Sequence, residues 1–165
     1  MCCHRAISYR ERCVGAVFYD YFRASDAAIA AAVDGSERMG PLLPPKVGEP
    51  VDAVDAKWIE PQVTLGRLVG FVQGVPWRVD LMEVTSIDPD EEADDGLLRI
   101  GDGARDALAS VTADQVPELV AHWAAIEEFR GQGDADYLAE VLTGLADLSR
   151  RARAAGQHLL CRWSQ

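Results

Sequence analysis

The chain has 165 residues, 48% of them hydrophobic, with 27 acidic against 16 basic residues and a formal charge of −11. A chain of this length forms one domain of ordinary size, roughly 100–200 residues, and buries enough surface to need no metal or disulfide staple. Its acidity excludes the usual nucleic-acid binder, which neutralises phosphates with clustered Lys and Arg, and favours a basic protein partner. No apolar run approaches the roughly 20 residues of a membrane helix, so no membrane association is expected.

Residues 1–13 hold Cys2, Cys3 and Cys13, three of the four cysteines, with Arg5, Arg10 and Arg12 and no periodicity. They read as a disordered tail or a mis-called start, ahead of a single domain over 14–165. The start lacks the apolar core, about 7–15 residues, of an export signal. A reducing cytoplasm with free thiols is therefore expected.

Residues 17–22 are aromatic and β-prone, which predicts a strand. Ser25 caps an alanine-rich helix to about Val33, and Asp34-Gly35 stops it. Residues 40–50 carry four of the eight prolines and read as a loop. Residues 51–59 alternate as a strand, with Val54, Ala56 and Trp58 on one face. Pro61 opens a helix whose Leu65, Leu68, Val69 and Val72 share a buried side, and Gly74 ends it. Residues 79–84 and 97–100 are predicted strands around an acidic connection.

Asp102 is read as the cap of a short helix burying Ala104, Leu108 and Val111. Thr112 and Gln115 form a capping-box pattern, and Pro117 fits if the helix starts one or two residues after Thr112. Val116, Leu119, Val120, Trp123 and Ile126 then form a stripe. Asp134 or Asp136 caps the longest helix, whose core face is Leu138, Val141, Leu142, Leu145 and Leu148. Arg150, Arg151 and Arg153 complement its C-terminal dipole, and Gly156 stops it. Residues 157–163 form a last strand.

Candidate chemistry is sparse. The acidic run 88–95 resembles a calcium loop in composition, but starting the frame at Glu91 places Ala93 where a ligand is required. It reads as a solvated loop. Cys2, Cys3, His4 and Cys13 are zinc-ligand types without paired spacing, so no metal and no cofactor is expected. His158 and Cys161 are three apart on a strand and face opposite ways, with Cys161 in the core and His158 towards solvent or the other face. No catalytic residue is assigned. His122 lies one turn after Glu118 on the shoulder of its stripe, the spacing of a surface contact. No HExxH, GxSxG, phosphate-binding loop or GxGxxG motif occurs. Of the four tryptophans, Trp58, Trp123 and Trp163 fall on core faces, and Trp77, after Pro76, is the one expected to be exposed.

The segment 18–22 before an Ala-rich helix, Lys57-Trp58-Ile59-Glu60-Pro61 leading to Leu65-Gly66 and Leu68, and Glu127-Glu128-Phe129 together resemble a small family of uncharacterised actinobacterial proteins. The ending resembles it too, with Arg150-Arg151-Ala152-Arg153, Gly156 and Leu159-Leu160-Cys161 before Trp163. These motifs span most of residues 17–163. A more distant likeness, carried by the helical ending with its terminal strand, is to the YfbM-like family, from whose pattern the Asp55 to Trp58 element departs by lying farther from the helix end at Gly74. Neither resemblance implies an activity or a site residue.

The expectation is an α+β domain with helices on one face of a small mixed sheet, its helical C-terminal half ending in a short strand. The leading functional expectation is a non-enzymatic acidic binding module for a basic protein, an immunity-type inhibitor being one version. Its surface would comprise Trp77 as anchor, Asp90, Glu91, Glu92, Asp94 and Asp95 of the acidic loop, and Glu127 and Glu128. The alternatives are a small enzyme with a polar pocket near His122, used with Glu118 or Glu127, or a structural subunit of a homo-oligomer.

Overall fold

A computed structural model describes residues 17–34, 52–87 and 95–164. The tail 1–13, the proline-rich stretch 40–50 and residues 88–94 of the acidic loop lie outside the described residues. The described chain runs β1 (Phe18–Ala24), α1 (Asp26–Asp34), β2 (Ala53–Asp55), α2 (Gly66–Gln73), β3 (Val84–Ser86), β4 (Asp95–Ile100), α3 (Asp102–Ser110), α4 (Val116–Ala124), α5 (Ala135–Ala154) and β5 (His158–Ser164). A π-helical turn over Pro61–Leu65 leads into α2, and a 3₁₀ turn over Glu127–Phe129 follows α4.

The strands form one sheet in the order β2-β1-β5-β4-β3. The α+β class and the helical second half ending in a strand stand as read from sequence. All four ladders are antiparallel, so the sheet is antiparallel rather than mixed. The terminal strand β5 is its centre, flanked by β1 and β4. Alternation along β5 explains this position. Leu159 and Cys161 join the main core, while Leu160 joins Phe22, Ala24 and Leu97 on the opposite face. That second face is partly covered by Ala28 and Ile29 of α1, so one helix lies apart from the helical layer.

The main layer is organised by α5, which buries Leu138, Val141, Leu142, Leu145 and Leu148 along one stripe. Its start is fixed by the Asp134 carboxylate, which accepts from the backbone N–H groups of Asp136 (3.0 Å) and Tyr137 (3.1 Å). The Glu60 carboxylate does the same for the turn before α2, accepting from Gln62 and Val63, with Pro61 next to it. Gly74, at φ 66°, closes α2 in the left-handed conformation its lack of a Cβ permits.

Several local expectations change. Gly101, not Asp102, occupies the cap of α3, and the Asp102 carboxylate is bonded to His158 and Arg105. Thr112 does not cap α4, which begins at Val116. The Gln115 side chain still reaches back to accept from the Thr112 N–H at 3.0 Å, one half of a capping box. The predicted strand 79–84 overlaps β3 at Val84 alone, residues 79–83 being turn and irregular chain, and Val79 is exposed. The predicted strand 51–59 contracts to β2, and the way it ends creates the candidate site.

Candidate functional site

After β2 the chain makes a tight turn, closed by the Ile59 N–H donating to the Ala56 carbonyl at 3.0 Å. Ala56 and Ile59 are fully buried, and Trp58 between them is 66% exposed. The alternation of β2 would carry Trp58 inward. The turn carries it outward, with φ at 73°. A third position of a turn with positive φ is normally held by Gly or Asn, because a Cβ there meets the neighbouring carbonyl.

Two tyrosines hold that conformation in place. The fully buried Tyr21 donates its hydroxyl to the Ile59 carbonyl at 2.7 Å. Tyr137, on the first turn of α5, donates to the Lys57 carbonyl at 2.9 Å. Carbonyls on both sides of Trp58 are thus clamped from different elements. Burial, then the nearby charges of Asp55 and Glu140, push the Tyr137 hydroxyl up to about 12, so it remains a donor through the neutral range. Unfavourable backbone conformations of this kind persist only where the surroundings over-determine them.

Trp58 stands at the rim of a cleft of about 720 Å³, lined also by Lys57, Thr64, Glu128, Phe129, Arg130, Gln132, Gly133, Asp134, Tyr137 and Leu138. Arg130 has φ 51°, and it and Trp58 are the two non-glycine residues with positive φ among the described residues. Both line this cleft. Gly133 lets its segment lie against the end of α4, since a Cβ there would stand 2.6 Å from the Ala124 carbonyl oxygen. Beneath it, the buried Trp123 donates its indole N–H to the Thr64 carbonyl at 2.9 Å.

The sequence-derived site residues are placed as follows. Trp77 is not the exposed tryptophan. It is half-buried, its indole N–H donating to the Gln62 carbonyl at 3.2 Å, with the Arg67 guanidinium 4.9 Å from its ring centre. Arg67 also binds Glu127 (2.9 Å) and Glu128 (3.0 Å), so these three predicted residues do gather around one cation, beside the cleft. Asp95 lies apart on β4, 3.7 Å from Arg162. Asp90, Glu91, Glu92 and Asp94 fall outside the described residues. Sequence reasoning missed Trp58, Phe129, Arg130, Asp134 and Tyr137 as a group. Their one sequence signal was the short Lys57-Trp58 step just before the helix-opening Pro61.

Two other polar places bear on the question of chemistry. A groove of about 370 Å³ runs between α2 and α4, lined by Phe71, Val75, Glu118 and His122 among others. His122 and Glu118 are both exposed, and among the described residues no hydrogen bond or ion pair joins them. The His122 ring instead lies 5.6 Å from that of Phe71. Of the two placements expected for His158, the structure has the face opposite Cys161, where it is buried, and not solvent. Its Nε2 lies 2.8 Å from Asp26 and its Nδ1 2.9 Å from Asp102, so it ties α1 and α3 to the central strand. Cys161 is fully buried on the opposite face, and burial raises its thiol far above the ordinary range. It is a small core residue, as its strand position predicts. Among the described residues no group of three His, Cys, Asp or Glu side chains is placed to hold a metal ion, and no helix is long and apolar enough to cross a membrane.

Searches against protein-family models, curated proteins and solved structures find no match to this chain. The functional reading therefore rests on the Trp58 cleft itself.

Proposed function

We propose that this protein is a non-catalytic, cytoplasmic binding module that takes a basic protein partner at the Trp58 cleft. One observation carries the reading. A large aromatic side chain is held in solvent by a turn position that disfavours it, with both flanking carbonyls clamped by tyrosine hydroxyls. Folding gains little from a tryptophan so placed, whereas Trp is the residue most enriched among side chains that dominate binding energy.

The electrostatics agree with a basic partner. The chain carries a net charge of −11. Around the cleft, Asp55, Asp134, Asp136 and Glu140 are all exposed. A field of this sign steers cationic surfaces inward and speeds their encounter, an effect that salt screens. Inhibition of a basic toxin is one form such a pairing takes. The test is affinity capture from native lysate at low and high salt, with the wild type and a Trp58→Ala variant side by side. The expected result is a basic protein recovered by the wild type at low salt, reduced at high salt and absent with the variant. Equal recovery by both proteins would move the interface away from Trp58, and no recovery at either salt would overturn the reading.

A further inference from the structure

We infer that one proton on His158 decides which of two charged side chains holds its ring, Asp102 of α3 or Arg99 of β4, and thereby which charge the groove at the start of α3 presents. The starting point is a competition at one atom. His158 is buried at the first position of β5. Its Nε2 lies 2.8 Å from Asp26 Oδ1. Its Nδ1 lies 2.9 Å from Asp102 Oδ1 and 3.0 Å from Arg99 Nη2. An ionised carboxylate only accepts and a guanidinium only donates. Nδ1 carries either one N–H or one lone pair, so it serves one of these two neighbours at a time.

The charged ring has two N–H donors. It gives one to Asp26 and the other to Asp102, and it turns Arg99 away. The neutral ring keeps its proton on Nε2, because the Asp26 carboxylate there can only accept. Its Nδ1 lone pair then accepts from Arg99 and repels Asp102. Contact with α1 survives in both states, whereas the partner at Nδ1 changes.

The other groups around the ring allow this exchange without loss of the fold. Arg105 Nη1 donates to Asp102 Oδ1 at 3.2 Å and to the Gln157 carbonyl at 2.8 Å, so it retains Asp102 when the ring lets go. The Arg105 Nε donates to Asp106 at 2.9 Å. Strand β1 sets Ala24, which has no charge, opposite His158. Burial pushes the Asp102 carboxyl up, but the hydrogen bond from His158 and the charges of Arg105, His158 and Arg99 together hold it below its ordinary value. Asp102 therefore stays an acceptor through the neutral range. Both contenders line a groove of about 430 Å³, with Glu83, Thr85, Gly101 and Gly103. This groove shares no lining residue with the Trp58 cleft. A charged ring engages the carboxylate and leaves the guanidinium to the groove. A neutral ring does the reverse.

The test is a titration of the full chain from about pH 5 to 8, the range in which imidazole is the side chain that ordinarily changes charge. Heteronuclear NMR follows the ring nitrogens and the backbone amides together, and the signals lost in His158→Gln assign the ring. The expected result is that Nδ1 gains and loses the proton while Nε2 stays protonated. The Arg99 side chain and the amides of residues 102–105 shift with the same midpoint, and by more than the amides of residues 26–28. Two variants pull the balance in opposite directions at a fixed pH within that range. Arg99→Met removes the donor to the neutral ring and raises the charged-to-neutral ratio about tenfold, and Asp102→Asn removes the anion beside the charged ring and lowers it about tenfold. A merely structural role gives no such opposed pair. Thermal melts identify a variant that has lost its fold, and the wild-type titration decides the matter without either variant. A ring that does not change charge, a neutral ring with its proton on Nδ1, amides of residues 102–105 that do not follow the ring, or ratios that move the same way in both folded variants would each overturn the inference.

Discussion

Trp123 and Trp58 sit close together in the fold and solve opposite problems. Trp123 is fully buried, its ring meets Phe129 edge-on with centroids 6.1 Å apart, and its N–H is spent on the Thr64 carbonyl. Trp58 is two-thirds exposed on a left-handed turn, and no hydrogen bond of its own indole occurs among the described residues. The first conforms to what a tryptophan does for a core, with large apolar area and a satisfied donor. The second has the cost of ordering without the burial. A side chain in that position is what the proposed partner would account for.

The contrast breaks most visibly at Trp123. Trp123→Ala is expected to lower folding free energy by about 3–5 kcal/mol, the range for aromatic-to-Ala changes in a core. Urea denaturation measures this, and a loss below about 1 kcal/mol would mean the two tryptophans are not different in kind. His158 supplies a second buried anchor, polar rather than apolar. His158→Ala is expected to cost about 1–3 kcal/mol by releasing both Asp26 and Asp102. Hydrogen exchange should show α1 opening faster than α5 in that variant; uniform change would contradict the clamp.

A smaller effect sharpens the account of the turn. Tyr137→Phe removes the donor to the Lys57 carbonyl and is expected to cost about 1 kcal/mol. Because one of two clamps is then gone, amide shifts at residues 57–59 should move more than those at Tyr21. The smallest effect lies in pH. Hydrogen bonds from Arg151, ahead of the opposing influence of burial, and then those from Arg23, hold the Asp52 carboxyl below the usual range. A depressed folded pKa gives stability that is present above the unfolded value, about 3.9, and lost as pH falls through the folded one. Melting temperature should therefore fall less steeply below about pH 4 in Asp52→Asn than in the wild type. Parallel curves would remove Asp52 from the account.

Much of the scaffold was legible because its signals are local. The aromatic run of β1, Pro61 and Gly74 around α2, and Asp134 and Gly156 around α5 each mark an element within a few residues of where it begins or ends. The stripe of α5 was readable for the same reason, since period and burial agree at every core leucine. The site was not legible, because its determinants are distant or contrary to local rule. Lys57-Trp58 contains no Gly or Asn to announce a left-handed turn. The hydroxyls that impose it come from Tyr21 and Tyr137, 38 and 80 residues from the carbonyls they bind. The sequence left His158 open between solvent and the opposite face for a similar reason, since its acidic partners are 132 and 56 residues away. Glu128 lines the cleft and Glu127 shares its cation, but nothing local showed that Arg67 would bind both.

The central claim is that Trp58 is held outward for a partner and not for folding, and the folding free energy of Trp58→Asn tests it most directly. Replacing Trp by Asn relieves a left-handed backbone cost of roughly 1–2 kcal/mol. It gives up about a third of a tryptophan's burial, of similar size at roughly 25 cal/mol per Å². The account predicts a variant equal to the wild type within about 1 kcal/mol, or more stable, by urea denaturation. A loss of 3 kcal/mol or more, on the order of a core tryptophan, would show that Trp58 belongs to the fold and contradict the account.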